Sequence, residues 1–245
     1  MIIDMATIIW KETREMFHQG GRLKGGWLGM VVFIGVFGIF MPLQSGRAWV
    51  ESPVGLVFWG WIPFLLVSSV IADSFAGERE RHTLETLLAS RLSDKAILFG
   101  KLAAAISYGW GFTMLSMLLS LVTINIVHGR GELLLYPLPI GVGIVLISFL
   151  IAWLASGVGT LISLRAATVR QAQQTFSFAF FALFIPMMLI PILPDELKLR
   201  LAEWLAAAPD INIILLLIGV ILFFLNLALL GLALRRFQRA QLILD

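Results

Sequence analysis

Long apolar segments separated by short polar connections dominate the pattern of this chain. A helix needs about 20 mostly apolar residues to cross the hydrocarbon core of a bilayer. Six segments are of this kind, at residues 26–43, 54–73, 98–127, 137–164, 175–194 and 211–234. The pattern therefore predicts an all-α polytopic membrane protein with six transmembrane helices, which form a single transmembrane domain over residues 1–245.

The composition agrees with a membrane protein. Of the 245 residues, 59% are hydrophobic and only 13% are charged, whereas a soluble domain has about 25% charged residues. A soluble fold of this composition would expose large apolar patches. The absence of cysteine excludes a disulfide framework, a cysteine-ligated metal and a cysteine nucleophile.

Residues 1–19 precede the first apolar segment and predict an amphipathic helix. Apolar side chains recur there at helical spacing, with Trp10 beside them: Ile2, Met5, Ala6, Ile9, Met16 and Phe17. Charged side chains fill the other face: Asp4, Lys11, Glu12, Arg14 and Glu15. Such a helix is suited to lie at the membrane surface, or to pack on its own protein, or both. A second amphipathic segment, residues 195–210, predicts a short helix at the opposite surface.

The orientation follows from the distribution of lysine and arginine, which favour the cytoplasmic side. With the N-terminus inside, the inner segments hold Lys11, Arg14, Arg22, Lys24, Arg79, Arg81, Arg91, Lys95, Lys101, Arg165, Arg170, Arg235, Arg236 and Arg239. The outer segments hold Arg47, Arg130, Lys198 and Arg200. This asymmetry predicts that both termini lie in the cytoplasm. We expect the protein in the cytoplasmic (inner) membrane.

The connection between the second and third apolar segments, residues 74–96, carries the densest charge in the chain. Thr83 is suited to cap a short helix, with Glu85 in its first turn. Leu84, Leu87 and Leu88 then share one face of that helix. Ser93 and Asp94 are suited to begin the next helix.

This connection resembles the permease subunits of type-2 ABC exporters. Their loop has the pattern E-R-E-x-G-T-L-E-x-L-L, then a turn with proline, then a helix that ends in G-K. The chain matches it at Glu78, Arg79, Glu80, Thr83, Leu84, Glu85, Leu87, Leu88, Gly100 and Lys101. It departs at His82, where glycine is usual, and at Arg91, near the usual proline. The N-terminal amphipathic helix and the six spans extend the resemblance over the whole chain.

The resemblance implies a mechanism in which a separate P-loop ATPase drives transport. The short helix would be a coupling helix that docks on the ATPase through Glu78, Arg79, Glu80, Arg81, Thr83, Leu84, Glu85, Leu87 and Leu88. The N-terminal helix, with Ile2, Ile9, Trp10 and Phe17 on its membrane face, would be a connecting helix. The second inner loop would add a contact through Arg165 and Arg170.

The same resemblance implies the other partners. The complex would contain two permeases, identical or paralogous, and two ATPases, with the cargo path between the permeases. ATP and magnesium would be bound by the ATPase, because the chain has no G-x-x-x-x-G-K-[ST] motif and Gly100-Lys101 is followed by Leu102. The chain itself is expected to hold no cofactor, no metal and no catalytic residue, and to bind no nucleic acid.

Several other functions compete with that of an ABC permease. Ionisable residues in mid-membrane, which mark proton and ion paths, are almost absent. This argues against a secondary transporter, a channel or an intramembrane protease. Asp73 and Lys101 lie near the inner ends of their spans and are expected to face water, headgroups or each other. An apolar path with scattered hydroxyl groups favours a lipid-like cargo, while a sodium exporter subunit and a transport-inactive scaffold for an ATPase remain open.

Overall fold

The computed structural model describes residues 2–19, 31–52, 54–189, 192–206 and 210–237, and within these ranges it contains helices and no β-strand. The predicted all-α class is confirmed. The helices are α1 (Ile2–Gln19), α2 (Val31–Ser45), α3 (Ala48–Glu51), α4 (Val54–Ala72), α5 (Leu84–Leu88), α6 (Asp94–His128), α7 (Leu138–Ser163), α8 (Val169–Leu189), α9 (Asp195–Ala206) and α10 (Ile211–Arg236).

Four helical segments of the described chain are long and apolar enough to cross a membrane: Phe58–Glu80, Asp94–His128, Leu138–Ser163 and Ile211–Arg236. They correspond to the second, third, fourth and sixth predicted spans. The first predicted span begins at residue 26, and residues 20–30 lie outside the described residues; its later part is the shorter apolar helix α2. The fifth predicted span falls on α8, whose first turns are polar. The count of six spans therefore stays a prediction for the first and the fifth.

Helix α7 lies at the centre of the bundle. Helices α4 and α10 pack on it from two sides, and α6 packs on both α4 and α7. The main apolar core lies at one end of these helices, where Ile71 and Phe75 meet Ile97 and Phe237. We call this the charged end of the bundle, because α1, the loop after α4 and the loop after α7 are all found there.

Helix α1 packs along α6 and therefore belongs to the protein core as well as to its surface. Gly100 of α6 allows this approach, since a Cβ atom there would lie 2.7 Å from Cγ2 of Ile8. Ile8 is 2% exposed and Glu12 is 5% exposed, whereas Trp10 is 63% exposed. Glu12, which the sequence pattern groups with the charged face, is thus buried, because α1 packs on its own protein with the Ile8–Glu12 side turned inward. The side chains of Ile2 and Phe17 lie outside what the structure describes, and Ile9 is half-buried.

The opposite end of the bundle is held by polar contacts to the segment before α7. Trp59 Nε1 donates to the hydroxyl of Tyr136 at 3.0 Å. The side chain of Asn125 donates to the carbonyl oxygen of Leu134 and accepts from its amide, both at 2.8 Å. The second amphipathic segment is helical as α9, which begins at Asp195; its position at a membrane surface stays a prediction.

Candidate functional site

The candidate site is built where α4 ends at the charged end of the bundle. The helix continues past Ala72 through a turn of π-helix, Asp73–Gly77. In an α-helix the amide of Ala76 would donate to the carbonyl of Ala72, and the π turn breaks that bond. Ser163 of α7 supplies partners for both groups. Its hydroxyl group accepts a hydrogen bond from Ala76 N at 2.9 Å and donates one to Ala72 O at 3.0 Å. The π turn is therefore fastened to the end of α7.

Lys101 of α6 lies at the centre of the site and is fully buried. Its ammonium group donates to Glu12 Oε1 at 2.7 Å and to the carbonyl of Ser74 at 2.7 Å. It also lies 3.0 Å from Glu78 Oε1. A buried ammonium group needs partners of this kind for its three donors, because an unpaired charge in the interior is very costly. The expectation that Lys101 faces water or headgroups was wrong.

Lys11 completes the site from the side of α1. Its ammonium group donates to Glu78 Oε1 at 2.9 Å and lies 3.5 Å from Glu15 Oε1. Partial burial alone would lower the pKa of Lys11, but the hydrogen bond and the charge of Glu78 outweigh it and raise the pKa above its usual value. Lys11 thus stays charged at physiological pH. The positive charges of Lys11 and Lys101 balance the negative charges of Glu12 and Glu78. We call these four residues the charge cluster.

Arg79 and Glu80, which follow the charge cluster in sequence, reach the loop after α7. The guanidinium group of Arg79 donates to the carbonyl oxygens of Leu164 and Ala166, both at 2.9 Å. Glu80 Oε2 accepts from the amide of Val169, the first residue of α8, at 3.1 Å. Arg79 therefore satisfies backbone carbonyls just after the end of α7, and Glu80 caps the start of α8. The two inner loops form one connected surface.

The predicted coupling helix is present as α5, with Thr83 as its N-cap residue. Thr83 does not cap through its side chain, and its hydroxyl instead donates to the carbonyl of Glu78 at 3.3 Å. Glu85 is exposed, and Leu87 is half-buried against the main core. The side chains of Leu84 and Leu88 lie outside what the structure describes. Ser93 caps α6 as expected, since its hydroxyl accepts from Ala96 N at 3.3 Å.

The predicted interface residues thus divide into two groups. Glu78 is 3% exposed, so its carboxylate serves the charge cluster and is not presented to a partner. This corrects the role expected for it. Arg81 is partly exposed and pairs with Asp73 at 3.1 Å, while Glu85, Arg165 and Arg170 are exposed. The second group remains suited to a docking surface.

His82 stands where glycine is usual in this loop. Its φ angle is +56°, in the left-handed region that glycine adopts without strain. A glycine, which is usual at this position, would adopt the same backbone conformation without strain. Histidine is among the residues that tolerate this region better than most.

We expect His82→Val to lower the free energy of unfolding by about 1–2 kcal/mol, because a β-branched side chain is strained at this φ angle. His82→Gly should stay within about 1 kcal/mol of the natural protein, since the relief of strain is offset by the larger freedom of glycine in the unfolded chain. Thermal unfolding of the three purified proteins measures the difference. Equal stability of the valine and glycine variants would contradict the assigned backbone conformation.

The sequence pattern missed the partners of Lys101. The pattern groups Glu12 with the charged face of α1, and it assigns Glu78 to an interface with a partner protein. One indication was present: a lysine inside a long apolar helix is rare and marks a buried partner or a function. The partner could not be named, because residues 12, 78 and 101 meet only through tertiary packing.

Comparison with protein families now identifies the class. The chain matches the family model of the ABC-2 type transporter over residues 4–193, more than half of its length, and it belongs to that family. Among curated proteins no match to the chain is found. The protein is therefore a multi-pass membrane protein and a permease subunit of an ABC transporter, a component that works with an ABC ATPase subunit and is not itself the ATPase.

Proposed function

We propose that the chain is the membrane subunit of an ABC exporter and that a separate P-loop ATPase docks on the surface formed by α5 and the loop between α7 and α8. The charge cluster is the observation that supports this most strongly. Through Lys101, Glu12 and Glu78 it joins α1, α6 and the end of α4 within 3.0 Å contacts. A push on the loop after α4 is thereby passed to three helices at once.

The connection through Arg79 extends this coupling to the second loop. Because Arg79 holds the carbonyls of Leu164 and Ala166, a partner that moves α5 also moves the end of α7. Interiors are close-packed and transmit displacement with little compression. The ATPase would contact the exposed groups of this surface, Glu85 on α5 together with Arg170 on the second loop, where opposite charges set register and speed association.

The remaining parts of the complex follow from the family. Two permeases, identical or paralogous, would enclose the cargo path, and two ATPases would hold ATP and magnesium. ATP binding would draw the ATPases together, and the coupling helices would carry that motion into the spans. The charged end would face the cytoplasm, with both termini inside and the protein in the inner membrane.

An amphiphilic or lipid-like compound is the cargo that we propose. Most of the span hydroxyls that the structure describes donate to a carbonyl oxygen of their own helix, and several of them are buried within the single subunit. Thr113 Oγ1 donates to Gly109 O and Thr160 Oγ1 donates to Ser156 O, each four residues earlier. These groups serve helix packing. A path between two subunits would then be lined by exposed apolar faces such as those of α6 and α10, which suit an apolar cargo better than a small ion.

The docking proposal is tested by charge reversal on α5. Glu85→Arg should weaken association with the ATPase roughly tenfold, because like charges would then oppose each other across the interface. Since Glu85 is exposed, the melting temperature of the permease should not change. Co-purification of the tagged permease with its P-loop ATPase, at several concentrations of the ATPase, gives the affinity.

Arg200→Glu is the matched control, a charge reversal at an exposed site near the opposite end of the bundle. Leu87→Asp is less suitable, because Leu87 packs on the main core and its replacement would disturb folding. Full association of the Glu85 variant would refute α5 as the docking element. Full association without any transport of lipid-like or ionic cargo in the natural protein would instead favour a scaffold.

A further inference from the structure

A cavity of about 380 Å³ lies at the charged end between α7, α8 and α10, apart from the charge cluster. Five larger apolar residues contribute to its lining: Val158, Leu161, Ile162, Leu229 and Leu232. Arg165, Gln171, Thr175 and Arg236 are its polar lining residues, and Ala166 completes the set. The cavity is therefore amphiphilic, and its two cations both stand at the helix ends of the charged end.

The positive charge of this cavity has no counterpart in the described part of the chain. The residues that line the cavity include no aspartate or glutamate. Arg165 and Arg236 are both exposed, and among the described residues neither forms an ion pair. Two guanidinium groups that have no ion-pair partner among the described residues are suited to an anion such as a phosphate group, which they can bind through paired hydrogen bonds.

The position of the two arginines fixes their depth in the membrane. Arg236 is the last residue of α10, and Arg165 follows closely after the end of α7. Both helices are apolar and of membrane-crossing length, so we expect the arginines at the level of the lipid headgroups. Helix α10 is exposed along most of its length, and its Leu229 and Leu232 face the cavity. The apolar part of the cavity is thus at the depth of the first acyl carbons.

We propose that this cavity binds an anionic phospholipid from the leaflet at the charged end of the bundle. Arg165 and Arg236 hold the headgroup phosphate, and the leucine-lined wall takes the glycerol region and the first carbons of an acyl chain. Basic pockets between transmembrane helices are suited to acidic headgroups in this way. This binding goes beyond the proposed transport function and needs neither the ATPase nor a cargo.

The test uses the full chain in nanodiscs that contain dioleoylphosphatidylglycerol and dioleoylphosphatidylcholine in equal amounts. Native mass spectrometry after release measures which lipid is retained, and titration into delipidated protein gives the affinity. We expect selective retention of phosphatidylglycerol. Arg165→Gln and Arg236→Gln should each weaken it roughly tenfold, as for the loss of a charged hydrogen-bond donor.

Arg235→Gln is the matched control, because Arg235 is the exposed neighbour of Arg236 on α10 but does not line the cavity. It should leave retention unchanged, and all variants should melt at the same temperature. Equal weakening by the Arg235 variant would indicate general attraction to a basic surface and overturn the site. Equal retention of phosphatidylcholine, or full displacement of the lipid by millimolar inorganic phosphate, would also overturn it, the latter in favour of a free anion.

Discussion

Lys101→Met should lower the free energy of unfolding by about 3–5 kcal/mol, the cost typical of removing one partner from a buried ion pair. The carboxylate of Glu12 would lose its 2.7 Å contact and would stay buried, with Lys11 at 3.7 Å and the Ser74 hydroxyl, which donates to Oε2 at 3.3 Å, as its remaining polar neighbours. The carbonyl of Ser74 would lose a donor as well. Methionine fills a similar volume, so the loss reports the charge and not a cavity.

Unfolding of the purified protein in mixed micelles by increasing denaturing detergent measures this change. Lys95→Met is the control, since Lys95 is exposed and lies in the first turns of the same helix. Adding Glu12→Gln to Lys101→Met should restore part of the loss, because it removes the carboxylate left without its partner. If Lys101→Met and Lys95→Met were equally stable, the charge cluster would not be what holds α1 to the bundle.

The helical architecture of the spans could be predicted from the sequence because it depends on the hydrophobicity of each segment alone. The edges predicted for the fourth span, residues 137–164, lie within a residue or so of α7, Leu138–Ser163. Twenty apolar residues have few alternatives to a helix in a bilayer, where every backbone group must be bonded within its own segment. The prediction is weakest where apolar and polar residues mix, as in the first turns of α8.

The candidate site could be predicted only in part, because its chemistry depends on tertiary contacts. The motif around Glu78 and Arg79 drew attention to the correct loop, but a charged loop was taken to face a partner. The structure instead uses Glu78 for Lys101 and Arg79 for the backbone after α7. Periodicity describes which face of one helix is polar, and it does not tell whether another helix supplies the opposite charge. Glu12 shows the same limit on α1.

The π turn at Asp73–Gly77 was also beyond the sequence pattern. A π turn is a local rearrangement whose freed backbone groups need partners from elsewhere, and here Ser163 supplies them from α7. π turns inside helices occur often at functional sites. Its position directly before Glu78 orients that carboxylate toward Lys101, so the turn and the charge cluster depend on each other.

Arg79→Lys should uncouple the two inner loops while the ATPase still binds. The guanidinium group of Arg79 reaches the carbonyls of Leu164 and Ala166 at the same time. A lysine ammonium group is a point charge on a flexible stem and cannot keep both bonds in a fixed geometry. Each bond from a charged donor contributes about 1.5–3 kcal/mol. We therefore expect the free energy of unfolding to fall by the contribution of one bond in Arg79→Lys and of two bonds in Arg79→Ala.

The readout that separates coupling from folding is the ratio of cargo-stimulated ATP hydrolysis to the amount of ATPase co-purified. In the Arg79 variants this ratio should fall, more for alanine than for lysine, because the motion of α5 would no longer reach the end of α7. Arg91→Lys and Arg91→Ala, at an exposed site in the same loop, should leave the ratio unchanged. If the Arg79 and Arg91 variants behaved alike, coupling would not depend on Arg79 and would run instead through the bond of Glu80 to Val169 or through the charge cluster, from Glu78 to Lys101 and into α6.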